Sequence, residues 1–290
     1  MSADGSFPKL RCFTSGQANP MDNADTQKEN IMNVIGYKVG KIEAEAAMTS
    51  DIVLHPDVDF ESLNDVVEFE RPSMDLFPGM NRKYTPFLYD AVTGGPLSGG
   101  RYVFDTWENV KKYAQWTVEE VEFEPGVKFW DRSIFTQVDK HIWKVVGAHD
   151  FTPVETHSVN RFQRWSYTAA PDHVRAMLDD IWPMLRQRAE QEGLGSVWLL
   201  DQPDERQIAI FTTGRTARMH ADIAALNRSV EALSLTPSLG LILPDAIGLT
   251  KLFDRTGPIF SIWLPLSGRQ GGSPVANPSS PPWPHPTIAP

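Results

Sequence analysis

The sequence predicts an α+β protein: two tandem ferredoxin-like repeats, each β-α-β-β-α-β, closing on each other as an intramolecular α/β barrel. Three observations predict it. The same order of strand-like and helix-like runs occurs twice along 290 residues, and a repeated order says more than any single element. The second half carries one long, strongly amphipathic helix that needs a sheet to cover. Apolar residues make up 41% and charged residues 22%, enough apolar surface for a sizeable core.

Taken in order, residues 1–30 are polar and unpatterned and read as a disordered extension. Met48 opens a more ordinary stretch and is an alternative start position. The first repeat is assigned to residues 31–155, its opening strand in 32–39 or 51–54. Phe60, Leu63, Val66, Val67 and Met74 have helical spacing over 60–77, with Pro72 expected to kink or divide the helix and Pro78-Gly79 to stop it. Two strand-like runs, 81–90 and 100–105, flank AVTGGPLSGG, which predicts a hairpin with Gly94-Gly95 and Gly99-Gly100 as turns. Thr106 is a good N-cap for a helix beginning at Trp107, and a second helical piece is expected over 118–123, ended by Pro125-Gly126. Residues 140–148 read as a strand.

The second repeat is assigned to 156–267. Residues 159–167 read as a strand by β-branched and aromatic content. The helix over 171–192 has Val174, Met177, Leu178, Ile181, Met184 and Leu185 on one stripe. Pro171 suits its first turn, Gly193 its C-terminal cap, and Pro183 predicts a kink. A hairpin over 195–214, turning at 201–205, a helix over 216–233 and a strand over 259–266 complete the order. The apolar, Pro- and Gly-broken segment 235–253 reads equally as a cap on a barrel mouth, an interface or plain core. Residues 268–290 are rich in Pro, Gly and Ser and read as a disordered tail.

Composition excludes several functions. A net charge of -10 argues against a nucleic-acid partner and against adsorption to anionic lipid. No apolar run approaches the roughly 20 residues that span a bilayer, and the N-terminus has no hydrophobic signal core. Cys12 is the single cysteine, so an intrachain disulfide and a Cys-rich metal site are both excluded. The expectation is a cytoplasmic protein. There is no GxGxxG, no GxxxxGK[ST], no GxSxG and no HExxH, so nucleotide, serine-hydrolase and zincin signals are absent.

The segment PGMNRKYTPFLYDAVTGGPLSGGRYVFDTWENVKKY carries Pro78-Gly79, then Gly99-Gly100-Arg101-Tyr102-Val103-Phe104, then the acidic-start helix Thr106–Tyr113. In this it resembles the antibiotic-biosynthesis-monooxygenase superfamily of dimeric α/β-barrel proteins, closest to its small putative-monooxygenase branch. The resemblance covers about 40 residues well, and the second repeat only in the order of its elements. It implies a four-stranded antiparallel sheet with helices on one face, and barrel pairing that here would be internal. It also implies a small-molecule enzyme of secondary metabolism, in a superfamily that spans cofactor-independent oxygenases, cyclases, isomerases, lyases, haem-using relatives and members with no known reaction.

The catalytic candidates are His141 and His149, since imidazole exchanges protons near neutral pH. On a regular strand they share a face with Trp143, eight residues apart and roughly 26 Å from end to end, too far to chelate one ion. Tyr84, Trp130, Trp143, Arg161, Trp165 and Tyr167 are the substrate-binding candidates, able to stack on a planar ring or to stabilise an anion as it forms. His149 with His157 and Asp150 or Glu155 is the best metal grouping, and His220 the best helical haem ligand; no metal and no cofactor are expected. The leading reading is cofactor-independent oxygenation of a hydrophobic aromatic or polyketide-like substrate. A cyclase, isomerase or lyase using the same pocket without oxygen is the alternative, and a non-catalytic small-molecule-binding or stress protein the third. The internal repeat fits a monomer containing a pseudo-dimer, or a homodimer.

Overall fold

A strand that must be covered on both faces can carry apolar residues on both, and most strands of this chain do. The computed structural model describes residues 39–75, 77–90, 92–154, 158–216 and 236–263. In chain order the elements are β1 (Gly40–Lys41), β2 (Ala46–Leu54), α1 (Phe60–Asp75), β3 (Met80–Tyr89) and β4 (Pro96–Phe104). Then come α2 (Trp107–Glu119), β5 (Glu122–Glu124), β6 (Val127–Lys128) and β7 (Phe135–Asp150). The second half holds β8 (Ser158–Ser166), α3 (Pro171–Gln191), β9 (Ser196–Gln202), β10 (Gln207–Thr216) and β11 (Thr250–Trp263).

The sheet runs β7-β2-β4-β3-β11-β8-β10-β9, and β9 pairs back with β7, so eight antiparallel strands close into a barrel; β1 pairs with β7 at His149 and Asp150, beyond the stretch that β2 covers. The α+β barrel expected from the sequence is what the chain forms. Each half contributes its last, first, third and second strand in that order, and the halves meet at β3–β11 and β7–β9.

Alternation along the strands sorts the side chains into three cores. The barrel interior takes Ala47, Tyr84, Val103, Trp143, Phe162, Trp198, Ala209, Phe211 and Ile259, drawn from both halves. Tyr84 stacks on Trp198 at 5.6 Å and on Phe211 at 5.8 Å, so the interior is filled by rings. Met48, Phe87, Tyr102, Phe104 and Trp263 face outward beneath α1 and α2. Trp165, Tyr167, Val197, Leu199, Ile208 and Ile210 face outward beneath α3.

Several expectations need correction. Gly99-Gly100 lies inside β4 rather than in a turn. A Cβ on Gly99 would stand 2.1 Å from the Ser50 carbonyl oxygen of β2, and one on Gly100 would meet the Tyr102 ring, so these glycines permit close approach within the sheet. Gly94, at φ 71°, and Gly95, whose carbonyl accepts from the Asp90 amide, do lie in the turn. Residues 122–124 form β5, not helix; Glu119, Glu120, Glu122 and Glu124 crowd negative charge at a helix C-terminus, where the dipole opposes it. Helix α1 runs through position 72 and is not divided there, whereas α3 continues through Pro183 to Gln191, with that proline inside the helix as expected. Pro183 is exposed, so water can satisfy the carbonyl it orphans. Strand β11 begins at Thr250, well before the expected 259. Segment 236–249 is plain core in part, since Leu239, Leu243 and Ile247 pack into the α3 core. Met48 lies inside β2. The expected helix over 216–233 falls, beyond position 216, outside the described residues, as do both terminal segments, His157 and His220.

One buried carboxyl yields a prediction here. Asp201, on β9, is 1% exposed, and burial pushes its pKa up to about 6, with Arg175 and Lys144 opposing and Asp179 adding. A carboxyl raised in the native state favours folding below its ordinary pKa, and that contribution is lost as pH rises through about 6. Asp201→Asn is therefore expected to melt higher than the parent at pH 8, by about 1–2 kcal/mol after discounting for nearby charges and solvent. Thermal melts at pH 8 and pH 5 check this: the gap should narrow toward the acid side.

Candidate functional site

The site is assembled on the outward face of the first half. In α1, Leu63, Val66 and Val67 form the apolar stripe, and one turn further the same stripe reaches Glu70. The helix is moored over the sheet by Arg71, which donates to the Ile262 carbonyl at 3.1 Å and to Ser261 Oγ at 2.8 Å on β11, while Glu68 holds its other edge. Between α1, the sheet and the short 3-10 turn Phe129–Asp131 lies a narrow cleft. Its enclosed part, about 30 Å³, holds a water or two.

Its walls are mostly apolar, with a few convergent polar groups, as ligand sites are. Lys83 is 3% exposed; its Nζ stands 3.4 Å above the Trp263 ring centroid and 5.2 Å from that of Tyr102. Glu70, equally buried, accepts from Arg132 Nη1 at 2.5 Å; the same guanidinium donates to the Phe129 carbonyl and lies over the Phe129 ring. The Tyr102 hydroxyl bonds that of Tyr113, and burial pushes the Tyr102 pKa up to about 12, so both phenols stay neutral. Thr85 Oγ1, also facing the cleft, has no hydrogen-bond partner among the described residues. The cleft thus offers a buried cation, a buried carboxylate and a neutral phenol beside an apolar slot.

The sequence candidates are scattered. Trp130 lines the cleft, its Nε1 donating to Thr117 Oγ1 at 3.1 Å, with Lys140 Nζ 4.4 Å over its ring. Tyr84 and Trp143 are fully buried in the barrel interior, Trp143 donating to Thr49 Oγ1 at 2.9 Å. Trp165 and Tyr167 pack toward α3; the Tyr167 hydroxyl is pushed up to about 12 by burial and by Asp201. Arg161 grips Asp254 with two hydrogen bonds, at 2.8 and 2.9 Å.

His141 is not at a strand start: β7 begins six residues earlier, and the side chain is 9% exposed. It bonds Glu205 at 2.8 Å and stands 3.0 Å from Asp139, with Arg164 completing the group. His149 does not share its face. A register shift between Val145 and Gly147 turns Ala148 into the barrel and His149 outward, toward α3. Burial, then Arg186, lowers its pKa below the usual 6.5. Neither histidine reaches the α1 cleft. Among the described residues no group of three His, Cys, Asp or Glu side chains is placed to hold a metal ion, and no helix is long and apolar enough to cross a membrane.

Sequence reasoning missed Glu70, Lys83, Tyr102 and Arg132. Two signals could have found them: a carboxylate on the apolar stripe of α1, and consecutive cations, Arg82-Lys83, in a strand with both faces covered.

Fold and cleft together define an α+β barrel with a helix-covered, largely apolar pocket. No family model matches the chain, and no curated protein matches it. Among solved structures it is similar to a Fusobacterium nucleatum protein described as a putative monooxygenase, at 11% identity and TM-score 0.46, covering 75% of this chain and 93% of that one. It is likewise similar to an anthrone oxidase-like protein, at 10% identity and TM-score 0.46, covering 76% and 93%. A mutant chlorite dismutase from Candidatus Nitrospira defluvii follows at 10% identity and TM-score 0.42, covering 75% and 92%. At such identities and scores none of these assigns the chain a family or a reaction.

Proposed function

We propose that this protein is a small-molecule enzyme whose active site is the α1 cleft, and that it oxygenates an apolar aromatic or polyketide-like phenol without a cofactor. The observation that carries the reading is a buried ammonium, Lys83, facing an apolar slot beside the carboxylate of Glu70. The cleft as it stands holds a water or two, so a planar ring enters only with a shift of α1 off the sheet; Lys83 then pairs with the oxygen anion that forms, in a low-dielectric setting where such pairing is strong. Glu70, fixed by Arg132, is the proton acceptor, and the neutral Tyr102 hydroxyl supports the cleft floor.

The reaction balances without an outside reductant. Glu70 takes a proton from an activated CH₂ or its enol. The carbanion passes electrons to dioxygen and forms a C–O bond, giving a hydroperoxide. Loss of water from that group leaves a carbonyl, so CH₂ and O₂ yield C=O and H₂O. Barrel closure within one chain supports reading the halves as ferredoxin-like repeats and the protein as a self-contained pseudo-dimer.

The test is oxygen uptake against a panel of hydroxynaphthalenes and tricyclic phenols, with product mass. Uptake matched by a product carrying one more oxygen and two fewer hydrogens supports the reading. Product isomeric with the substrate, and no uptake, would shift it to a cyclase or isomerase in the same cleft.

A further inference from the structure

The bulge in β7 opens a second recess that shares no lining residue with the α1 cleft. Regular alternation would have placed His149 inside the barrel with Trp143; the register shift sends it outward instead. There β1, the bulged stretch of β7 and α3 enclose a cleft of about 240 Å³. Trp182 of α3 lies against Gly147, where a Cβ would stand 2.1 Å from the indole ring, so the bulge glycine seats the ring in the recess. Ile42, Ala44 and Val145 add apolar surface.

Two cations, Lys41 and Arg186, and one carboxylate, Glu43, line the recess, and Glu190 of α3 is near enough to act on His149. Arg186 is exposed on α3 and forms no ion pair among the described residues. Lys41 is paired with Glu43 at 2.8 Å, and Asp150 turns away to Arg82 inside the barrel. The recess therefore presents two aromatic rings, an apolar side and one uncommitted guanidinium.

We propose that this recess binds a small planar aryl carboxylate, its ring against Trp182 and His149 and its carboxylate on Arg186. The volume suits one or two fused rings. A planar guanidinium fork matches a carboxylate in two parallel hydrogen bonds, and indole and imidazole offer faces to a ring rather than to a bare anion.

Calorimetric titration of the full chain at pH 7.5 tests this with three probes: 2-naphthoate, neutral 2-naphthamide and inorganic phosphate. One-site binding of 2-naphthoate is expected, weakened at least about tenfold by replacing the carboxylate with the amide, and by Arg186→Gln. Trp182→Leu should weaken it as well, and phosphate should bind far more weakly. Arg186 is exposed, so its variant is expected to fold as the parent does. Lys83→Met should leave this binding unchanged. Absence of naphthoate binding, equal binding of naphthoate and naphthamide, equal binding of phosphate, or loss with Lys83→Met but not Arg186→Gln would each overturn the proposal. The last of these would leave the α1 cleft reading standing.

Discussion

Arg82→Met is expected to destabilise the barrel by about 3–5 kcal/mol, because it leaves Asp150 charged inside the protein without its guanidinium. Arg82 Nε donates to Asp150 Oδ2 at 2.9 Å, with the two side chains 9% and 0% exposed. The pair joins β3 to the far end of β7, strands that are not neighbours in the sheet, so it spans the barrel interior. Against a total stability of about 5–15 kcal/mol, such a loss is large. The pair itself is a different matter: two charges taken out of water recover little more than their desolvation cost. Arg82→Met combined with Asp150→Leu should therefore recover much of the loss. Urea unfolding of the two single variants and the double variant measures the coupling. If the double variant is as unstable as the sum of the singles, the account of the interior pair fails.

Lys83→Met is expected to lower turnover by about 10²–10³-fold, the usual cost of removing one donor aimed at a developing anion. Methionine keeps the length and apolar stem that cover Trp263, so the melting curve should move far less than the rate. The two histidines provide the contrast. His141→Ala and His149→Ala should leave turnover within about threefold of the parent, since neither side chain lines the cleft. A large loss with either would return catalysis to the residues that the sequence alone suggests.

Much of the fold was legible because its elements are locally consistent. The stripe on α3, apart from Met184, which is exposed, its Pro171 start and Gly193 stop, and the Thr106 cap, which accepts from the Asn109 amide, lie where residue chemistry places them. Less legible were features set by packing at a distance. Gly99 and Gly100 look like turn residues until the Ser50 carbonyl and the Tyr102 ring are seen to press on them. The bulge at 145–147 leaves no mark in the sequence beyond Gly147, yet it decides which way His149 faces. The site was less legible still. Trp130 was found because a large aromatic suggests a pocket, whereas Lys83 and Glu70 look like ordinary surface charges. Their meaning depends on a barrel that buries one strand face and a helix that buries the other.

The most direct measurement of the central claim is the absorption spectrum of a hydroxynaphthalene bound to the protein near neutral pH, under nitrogen. If Lys83 meets the substrate oxygen in the α1 cleft, the bound ligand should show the band of its anion at a pH where the free compound is neutral. That band should vanish in Lys83→Met and persist in His141→Ala and His149→Ala. A bound spectrum identical to that of the neutral compound, or an anion band that survives Lys83→Met, would contradict the assignment of the site.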